Sequence, residues 1–393
     1  MTPVTLYIGE STVKHNARPG YNSGYNVRSA KRRKKNDRRK IFVITCLLIC
    51  LLCLILDIVL IPKLFSGKKT AKESSSINTS AVMTDGSEIS VSDSSSVPGD
   101  TTAPSEGKTT RAQTVDAATR AANLETLKTN VADYLNKQSG RYGVYYINMA
   151  NGETMAYKET QPIVAASSIK IAYNTYLYEK AASGELSLDE KIIYNAAKYP
   201  EGDFESGTGS IQTQADGTEF TLKEVSHLSI TISDNCGTNM VLRRLGGEDA
   251  VNNNYMKTIS SVVDYRQKVT YTDYTGAEKT GMRRTSAIDL AKYAEHLYRD
   301  HEENPAAFQP LIDDLCNTEY SWGVPAGVPG DIKVAHKIGL YPDLGTYNDI
   351  GIVFASEDYV LCVMTESGSG EQAKKIISEV SRMVYEYVES NYA

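Results

Sequence analysis

The sequence predicts an α+β fold: an antiparallel sheet flanked by N- and C-terminal helices, with an inserted helical lobe, preceded by one transmembrane helix. Three observations lead to the predicted fold of the domain, and a fourth leads to the transmembrane helix. Strand patterns occur near both ends of residues 113–393, the section between them reads mainly as helices, and a helical pattern closes each end. An apolar run at residues 41–62 precedes this folded part.

Charge is distributed unevenly along the chain. Residues 1–65 carry 12 Lys and Arg against 3 Asp and Glu, whereas the remainder carries 30 against 45. An acidic folded part argues against nucleic acid as its partner, because nucleic-acid binding depends on a basic face. The basic residues are instead concentrated at 31–40, immediately before the apolar run. This arrangement predicts a cytoplasmic N-terminus and an external C-terminal part.

The apolar run is long enough to cross a membrane, since a helix rising about 1.5 Å per residue spans a bilayer core of about 30 Å with some 20 residues. A cleaved signal peptide is the rival interpretation, but no Ala-x-Ala-like site follows the run. We therefore expect a single-pass protein of the cell membrane whose C-terminal domain is extracellular. Its predicted segments are a disordered basic cytoplasmic tail at 1–40, a transmembrane helix at 41–62, a Ser/Thr-rich extracellular linker at 63–112 and a folded domain at 113–393.

The folded domain shows helical spacing of apolar residues at both ends and strand patterns next to them. Asn151-Gly152 is a typical two-residue hairpin turn between two such strands. The predicted elements are a helix at 124–135, strands at 143–148 and 154–157, a helix at Ser167, helices at 222–228, 236–245 and 286–298, strands at 333–338, 349–354 and 359–365, and a helix at 371–388.

The cysteines give no framework for a disulfide-rich or zinc-binding domain. Three of the six lie in the apolar run, and the other three are Cys236, Cys316 and Cys362. An odd number without short ligand spacing favours neither a disulfide framework nor a metal site, although one disulfide among the three stays open. No cofactor or metal is expected.

Ser167 and Lys170 form the first candidate catalytic motif. Residues three apart on a helix share a face, so the lysine amine can lie beside the serine hydroxyl. A serine needs a neighbouring base to become a nucleophile, and a lysine whose charge is disfavoured by burial can serve. The same spacing recurs three times in the polar first 112 residues, but only Ser167 follows an apolar approach and begins an apolar helix. Taken alone, a helix-capping serine with a solvated lysine remains the alternative.

Two further motifs follow in order. Ser233-Asp234-Asn235 offers a hydroxyl for proton transfer and an amide for holding a substrate amide, although a helix N-cap explains the same tripeptide. Lys337-Ile338-Gly339 lies in a predicted strand and would place a cation and a backbone edge along a pocket. A literal Lys279-Thr280-Gly281 lies in a polar stretch without strand character, so we select Lys337 instead.

The order Ser-x-x-Lys, Ser-Asp-Asn, Lys-x-Gly on this layout resembles the class A β-lactamases and the penicillin-binding DD-peptidases. In particular, it resembles the β-lactamase-like serine hydrolases that Gram-positive bacteria tether outside the membrane. The resemblance covers about residues 115–391, including Gly327-Val328-Pro329 and, at 284–290, a segment like the family's Thr-Thr-Pro helix start. It implies a β-lactamase/transpeptidase-like fold.

The resemblance also implies a role for each motif residue. Ser167 would be the acylated nucleophile, Lys170 its activating partner, Ser233 the proton donor to the leaving nitrogen and Lys337 a positive charge beside it. The resemblance also implies substrate-binding roles for Asn235 of the second motif, for Ile338 and Gly339 of the third motif and for Leu340, which follows the third motif. Asn235 would bind the substrate amide, Gly339 and Ile338 would line the strand edge, and the backbone N–H groups of Ser167 and Leu340 would form the oxyanion hole.

Two departures from the family pattern affect the expected activity. Ile338 replaces the hydroxyl residue that would bind the substrate carboxylate. The Glu-x-x-Leu-Asn pattern that supplies the deacylating base in class A enzymes is absent between Asn239 and Thr285. Asn239 matches the asparagine that steadies the family's omega loop, although an amide on a helix surface explains it equally well. Asp264, Asp273 and Glu278 are the acids that we consider as candidates in that interval, and none has the expected sequence context. We therefore expect acylation to be retained and hydrolysis of the acyl-enzyme to be slow.

The function predicted from sequence is that of a membrane-anchored extracytoplasmic serine hydrolase with a monomeric ectodomain. Its expected substrates are β-lactams or the acyl-D-Ala-D-Ala groups of peptidoglycan that β-lactams mimic. A DD-peptidase-like penicillin-binding protein is the alternative with the same chemistry. A catalytically weak wall-binding or sensory domain is the alternative of a different class.

Overall fold

The computed structural model describes residues 113–392. In chain order, its helices and strands are α1 Ala117–Asn136, β1 Arg141–Asn148, β2 Thr154–Tyr157, β3 Ile163–Val164, α2 Lys170–Ala182, β4 Lys191–Ile193, β5 Glu219–Thr221, α3 Leu222–Thr231, α4 Asn235–Arg244, α5 Glu248–Val251, α6 Lys257–Ile259, β6 Val269–Thr272, β7 Glu278–Gly281, β8 Arg284–Thr285, α7 Ala287–Glu303, α8 Pro305–Cys316, β9 Lys333–Tyr341, β10 Thr346–Phe354, β11 Tyr359–Glu366 and α9 Gly370–Glu389.

The main sheet has five strands in the order β2-β1-β11-β10-β9. All neighbouring pairs in it are antiparallel, and β1 pairs with β11 along its whole length, from Arg141 opposite Glu366 to Asn148 opposite Tyr359. Strands from the beginning and the end of the domain therefore lie side by side. The helical section between β2 and β9 is inserted between them, as the sequence predicts.

Both faces of the sheet are buried, which follows from the alternation of side chains along each strand. In β11, Val360, Cys362 and Met364 face the helical lobe, whereas Leu361 and Val363 face the terminal helices α1 and α9. Because both sets are apolar, β11 reads in the sequence as a continuous apolar run. The predicted α+β fold with an antiparallel sheet and flanking helices is confirmed.

The two terminal helices pack together on one face of the sheet. Leu127 and Val131 of α1 share a core cluster with Val380 and Val384 of α9. The helical spacing of these residues is the signal by which the sequence predicts both helices.

The differences from the predicted elements have local causes. The sequence analysis does not predict α8, because Pro310 lies inside this helix and proline normally disfavours a helix interior. Lys279 lies on β7, which pairs with β6 in an exposed hairpin, so the expectation that this segment lacks strand structure was wrong. The hairpin closes at a turn where the Asp273 carboxylate accepts hydrogen bonds from Thr275 N at 2.8 Å and Ala277 N at 3.0 Å.

Cys236, Cys316 and Cys362 are free thiols, so the disulfide left open by the sequence is not formed among them. The predicted tail, transmembrane helix at 41–62 and linker lie outside the described residues. Within residues 113–392, none of the helices combines the length and apolar character that a membrane crossing requires.

Candidate active site

Ser167 lies on a 3₁₀ turn, Ala166–Ile169, and not on an α-helix as predicted; α2 begins at Lys170. Asn348 of β10 donates hydrogen bonds to the carbonyl oxygens of Val164 at 2.8 Å and Ala165 at 3.2 Å, which fixes the approach to this turn. The next residue, Ser168, is fully buried, and its hydroxyl donates to Ala165 O at 2.6 Å. Ser167 is partly exposed, so its hydroxyl is the one available to a substrate.

Gly339 allows β9 to lie directly against the Ser167 turn. A Cβ atom at this position would be 2.4 Å from the carbonyl oxygen of Ala165 and 3.0 Å from Ser168 N, closer than a side chain tolerates. The glycine of the third motif is thus required by the close approach of two backbones. Ser167 and Leu340, whose N–H groups are the predicted oxyanion donors, both line one cavity of about 480 Å³.

Lys170 is buried at the base of this cavity, with 5% of its surface exposed. Its amine donates to Ser233 O at 2.8 Å and to Asn235 Oδ1 at 2.9 Å, and it lies 3.3 Å from Ser233 Oγ. Among the described residues, the amine is therefore bonded to the second motif instead of to Ser167 Oγ. The sequence predicts the Lys170 amine beside the Ser167 hydroxyl on one face of an α-helix. That geometry does not apply here, because Ser167 lies on a 3₁₀ turn.

Burial lowers the pKa of Lys170 from an ordinary 10.5 to about 7. The negative charges of Asp234 and Glu205 oppose this shift, but desolvation is the larger effect. Near neutral pH, a substantial fraction of Lys170 is consequently a neutral amine that can accept a proton.

Ser233 has a left-handed backbone conformation, with φ of 57°. Its carbonyl oxygen is held by Lys170 and by the Thr208 hydroxyl, which donates at 2.7 Å. Its own hydroxyl lies between two amines, 3.3 Å from Lys170 Nζ and 3.1 Å from Lys337 Nζ. This position suits a hydroxyl that relays a proton.

Buried polar contacts fix α2 against the helices that flank Ser233. Asn174, one turn after Lys170, accepts a hydrogen bond from Ser226 Oγ at 2.8 Å and donates to Ser229 Oγ at 3.2 Å. Ser229 is bonded in turn to Thr238 Oγ1 at 2.8 Å. Because all four side chains are at least 95% buried, this network sets the distance between the first and second motifs.

Asp234 and Asn235 have separate roles in the second motif. Asp234 caps α4 by accepting from Gly237 N at 2.9 Å, and it also accepts from Ser210 N at 2.6 Å. This confirms the helix-cap interpretation for the aspartate. Asn235 instead lines the cavity and presents its Nδ2 towards Ser206 O at 3.5 Å, so its amide lies where a substrate amide can reach it.

Lys337 is completely buried on β9, and its pKa lies well below the ordinary value. Burial is the main cause, and the charge of Lys170 adds to it; the carboxylate of Asp349 opposes both. Burial and mutual repulsion therefore disfavour charging both amines at once. The ring of Tyr320 lies 5.8 Å from Lys337 Nζ. The literal motif residue Lys279 does not line the cavity.

Ile338 lines the cavity with 3% of its surface exposed, and it offers no hydroxyl to a substrate carboxylate. A larger cavity of about 850 Å³ surrounds Cys316 and Lys333, but none of the motif serines and lysines lines it.

Several residues of the cavity were missed by the sequence analysis, including Tyr320, Thr208 and Glu205. Glu205 and Thr208 come from a segment before the second motif that has little periodicity. Its only signal was a concentration of Gly, Ser and Thr at 206–210. The acids that the sequence analysis considered, Asp264, Asp273 and Glu278, do not line the cavity.

The ligand atoms of Glu179, His296 and Asp300 lie within 4.8 Å of one another, so these described residues could hold a metal ion. His296 Nε2 is already 2.9 Å from Glu179 Oε1. None of the three lines the cavity at Ser167.

The model of the beta-lactamase enzyme family matches residues 126–388 of this chain. The chain belongs to that family. The β-lactamase of Streptomyces albus G is 28% identical over 304 residues, covering 74% of this chain and 90% of that protein. The β-lactamase of Bacillus licheniformis is 24% identical over 275 residues, covering 67% of this chain and 85% of the relative.

Solved structures agree with the sequence relatives. The structure of PBP-A matches with a TM-score of 0.58 and 25% identity over 67% of this chain and 96% of PBP-A. A mutant of PBP-A in an acyl-enzyme complex with penicillin G matches with a TM-score of 0.57 and 24% identity over 68% of this chain and 97% of that one. The resemblance of this beta-lactamase family member to class A β-lactamases and penicillin-binding serine hydrolases is confirmed.

Proposed function

We propose that this beta-lactamase family member is an extracytoplasmic serine hydrolase that is acylated at Ser167 by β-lactams or by the acyl-D-Ala-D-Ala groups that they mimic. The observation that carries the proposal is the buried Lys170, whose pKa of about 7 makes it a competent base in the same cavity as Ser167. An exposed lysine with an ordinary pKa would be almost entirely protonated at neutral pH.

Acylation begins when neutral Lys170 takes the proton of Ser167 Oγ. The oxygen attacks the carbonyl carbon of the lactam, and the Ser167 and Leu340 N–H groups stabilise the developing oxyanion. The carbon–nitrogen bond of the ring then breaks. Ser233 donates its hydroxyl proton to the leaving nitrogen and recovers one from the adjacent Lys170 or Lys337. In this structure the Lys170 amine is directed towards Ser233. Catalytic hydrogen bonds often form fully only in the substrate complex, so this orientation is compatible with proton transfer from Ser167 Oγ to Lys170.

Substrate recognition is assigned to Asn235 and to the edge of β9. The Asn235 amide would bind the substrate's side-chain amide, and the backbone beyond Gly339 would align the acyl group. The named relatives support this substrate class, because two are β-lactamases and a PBP-A mutant forms an acyl-enzyme with penicillin G.

The nucleophile is tested by labelling the purified ectodomain with a fluorescent penicillin and measuring the intact mass. The parent protein should gain one penicilloyl adduct, and Ser167→Ala should not. Ser168→Ala is the matched control and should keep most of the label, because Ser168 Oγ is buried against Ala165 O. Labelling of Ser167→Ala would refute the assignment, and a parent that is neither labelled nor able to consume penicillin would favour a wall-binding or sensory domain.

A DD-peptidase-like penicillin-binding protein is the second candidate, and the structural likeness to PBP-A favours it. The two functions differ in which substrate is turned over. Release of D-alanine from an acyl-D-Ala-D-Ala peptide, with a penicilloyl adduct that persists, would identify a peptidase. Repeated hydrolysis of penicillin without release of D-alanine would identify a β-lactamase.

The proposed location is outside the cell membrane, anchored by residues 41–62, with a monomeric ectodomain. The concentration of basic residues at 31–40 supports this orientation. Protease added to intact cells should remove the ectodomain and leave the N-terminal tail intact. A protected ectodomain would refute the location and remove peptidoglycan as an accessible substrate.

A further inference from the structure

The segment at 195–210, here called the Glu205 loop, lies against the second motif. The buried Asp203 carboxylate ties the loop together, accepting from Asn195 N at 2.9 Å and from Arg243 Nε of α4 at 2.9 Å. Thr208 attaches the far end of the loop, since its hydroxyl donates to Ser233 O at 2.7 Å. The loop is therefore built into the site, although it precedes the second motif in the sequence.

Glu205 is the acidic residue that this loop brings into the cavity at Ser167 and Lys170. Its backbone N–H points to Cys236 Sγ at 3.4 Å, and its Oε2 accepts a hydrogen bond from Asn239 Nδ2 at 3.1 Å. Asn239, which is 96% buried, also donates to Asp203 O at 3.2 Å. The family pattern assigns this asparagine to a loop after the second motif. In this structure Asn239 instead holds the Glu205 loop, which precedes the motif, and it also holds the Glu205 carboxylate.

The surroundings of Glu205 leave its carboxylate available as a base. Its one hydrogen-bond partner among the described residues is the neutral amide of Asn239, and the side chain is exposed to water. The charge of Glu205 is also close enough to raise the pKa of Lys170.

The other carboxylate lining the cavity is already engaged. Glu248 accepts from Arg266 Nη1, from Arg283 Nη2 at 3.1 Å and from the Tyr173 hydroxyl at 3.2 Å. Both carboxylate oxygens of Glu248 therefore already accept hydrogen bonds from protein side chains, and one of them is shared by two guanidinium groups. Among the residues that the structure describes, Glu205 is the carboxylate of this cavity that has no guanidinium partner.

We propose that Glu205 is the general base that hydrolyses the acyl-enzyme, in place of the glutamate missing after the second motif. This inference rests on the proposed acylation of Ser167. The Glu205 carboxylate takes one proton from a water molecule while the water oxygen bonds to the acyl carbon. The bond from that carbon to Ser167 Oγ then breaks, and the proton passes from Glu205 to Oγ. The products are the free acid and the serine hydroxyl.

The test compares adduct formation and adduct loss in the parent and in Glu205→Gln, using penicillin G at pH 8. Glutamine keeps an oxygen that can accept from Asn239 but removes the basic carboxylate. Because a general base contributes about 10²- to 10⁴-fold in rate, the adduct of the variant should persist at least about 100-fold longer. Its rate of formation should stay within a few-fold of the parent, since Lys170 is largely neutral in both proteins at pH 8.

Glu201→Gln is the matched control, because Glu201 is an exposed glutamate of the same loop that does not line the cavity. It should leave both rates unchanged. Equal adduct lifetimes in the parent and in Glu205→Gln would overturn the assignment while leaving the proposed acylation intact. A parent that neither forms an adduct nor consumes penicillin would instead overturn the proposed function, and this inference with it.

Discussion

The pH dependence of acylation follows from the burial of Lys170. With a pKa of about 7 instead of 10.5, the amine is neutral in about 9% of molecules at pH 6, about half at pH 7 and about 91% at pH 8. The second-order rate constant for acylation should therefore rise about tenfold between pH 6 and pH 8 and level off above pH 8. A lysine of ordinary pKa would give about a 100-fold rise over the same interval and no plateau.

The measurement is a quenched-flow mass-spectrometric time course of adduct formation with penicillin G from pH 5.5 to 9.5. Penicillin keeps its carboxylate ionised throughout this range, so the profile reports the protein. A rate that climbs without a plateau to pH 9.5, or one that does not change with pH, would refute the role of Lys170 as the base.

Substitutions separate Lys170 from other titrating groups. Lys170→Met should abolish the pH-dependent acylation, whereas Lys279→Met, in the exposed hairpin, should leave the profile unchanged. Glu205→Gln should move the midpoint to lower pH, because the charge of Glu205 raises the pKa of Lys170. A midpoint that moves to higher pH in this variant would contradict the electrostatic argument.

Two substitutions on β9 test substrate recognition and backbone packing. Ile338→Thr should speed acylation about 10- to 100-fold relative to Ile338→Val, because a hydrogen bond to a charged group contributes about 1.5–3 kcal/mol. Equal acylation rates in the two variants would show that the threonine hydroxyl does not bind a substrate carboxylate. Gly339→Ala should slow penicillin labelling at least about tenfold and destabilise the protein by about 1–3 kcal/mol in thermal unfolding, because its Cβ would meet Ala165 O at 2.4 Å. Gly330→Ala, where nothing lies within 4 Å, is its control, and parent-like labelling of Gly339→Ala would contradict the packing argument.

The fold was largely predictable because its strands and helices carry strong, regular patterns. Leu127 and Val131 recur at helical spacing because both pack into the core on one face of the sheet. The apolar run of β11 arises because this strand is buried on both faces. Helix α8 was missed because local proline chemistry opposes a helix that tertiary packing stabilises through residues such as Leu311 and Ile312. Similarly, Lys279 joins a strand because the turn at Asp273 pairs β7 with β6, which its polar sequence does not indicate.

The site was predictable only where short motifs carry the chemistry. Ser167, Lys170, Ser233 and Lys337 line or border one cavity, since Lys337 Nζ reaches Ser233 Oγ at 3.1 Å. The direction of the Lys170 amine was not predictable, because it depends on a 3₁₀ turn and on the left-handed conformation of Ser233. A sequence motif specifies which groups are present, whereas the loops around them decide which group each one contacts.

The proposed role of Glu205 illustrates why the absence of a motif is weak grounds for inferring the absence of a reaction. General-base catalysis requires a carboxylate within reach of the attacking water and places no demand on the order of residues in the chain. In this molecule α4 carries Asn239 on the side that faces residues 203–205, so the asparagine that the family pattern assigns to one loop fixes another. Under the proposed role of Glu205, the carboxylate that this asparagine holds sets the lifetime of the acyl-enzyme, and with it whether a β-lactam is destroyed or merely retained.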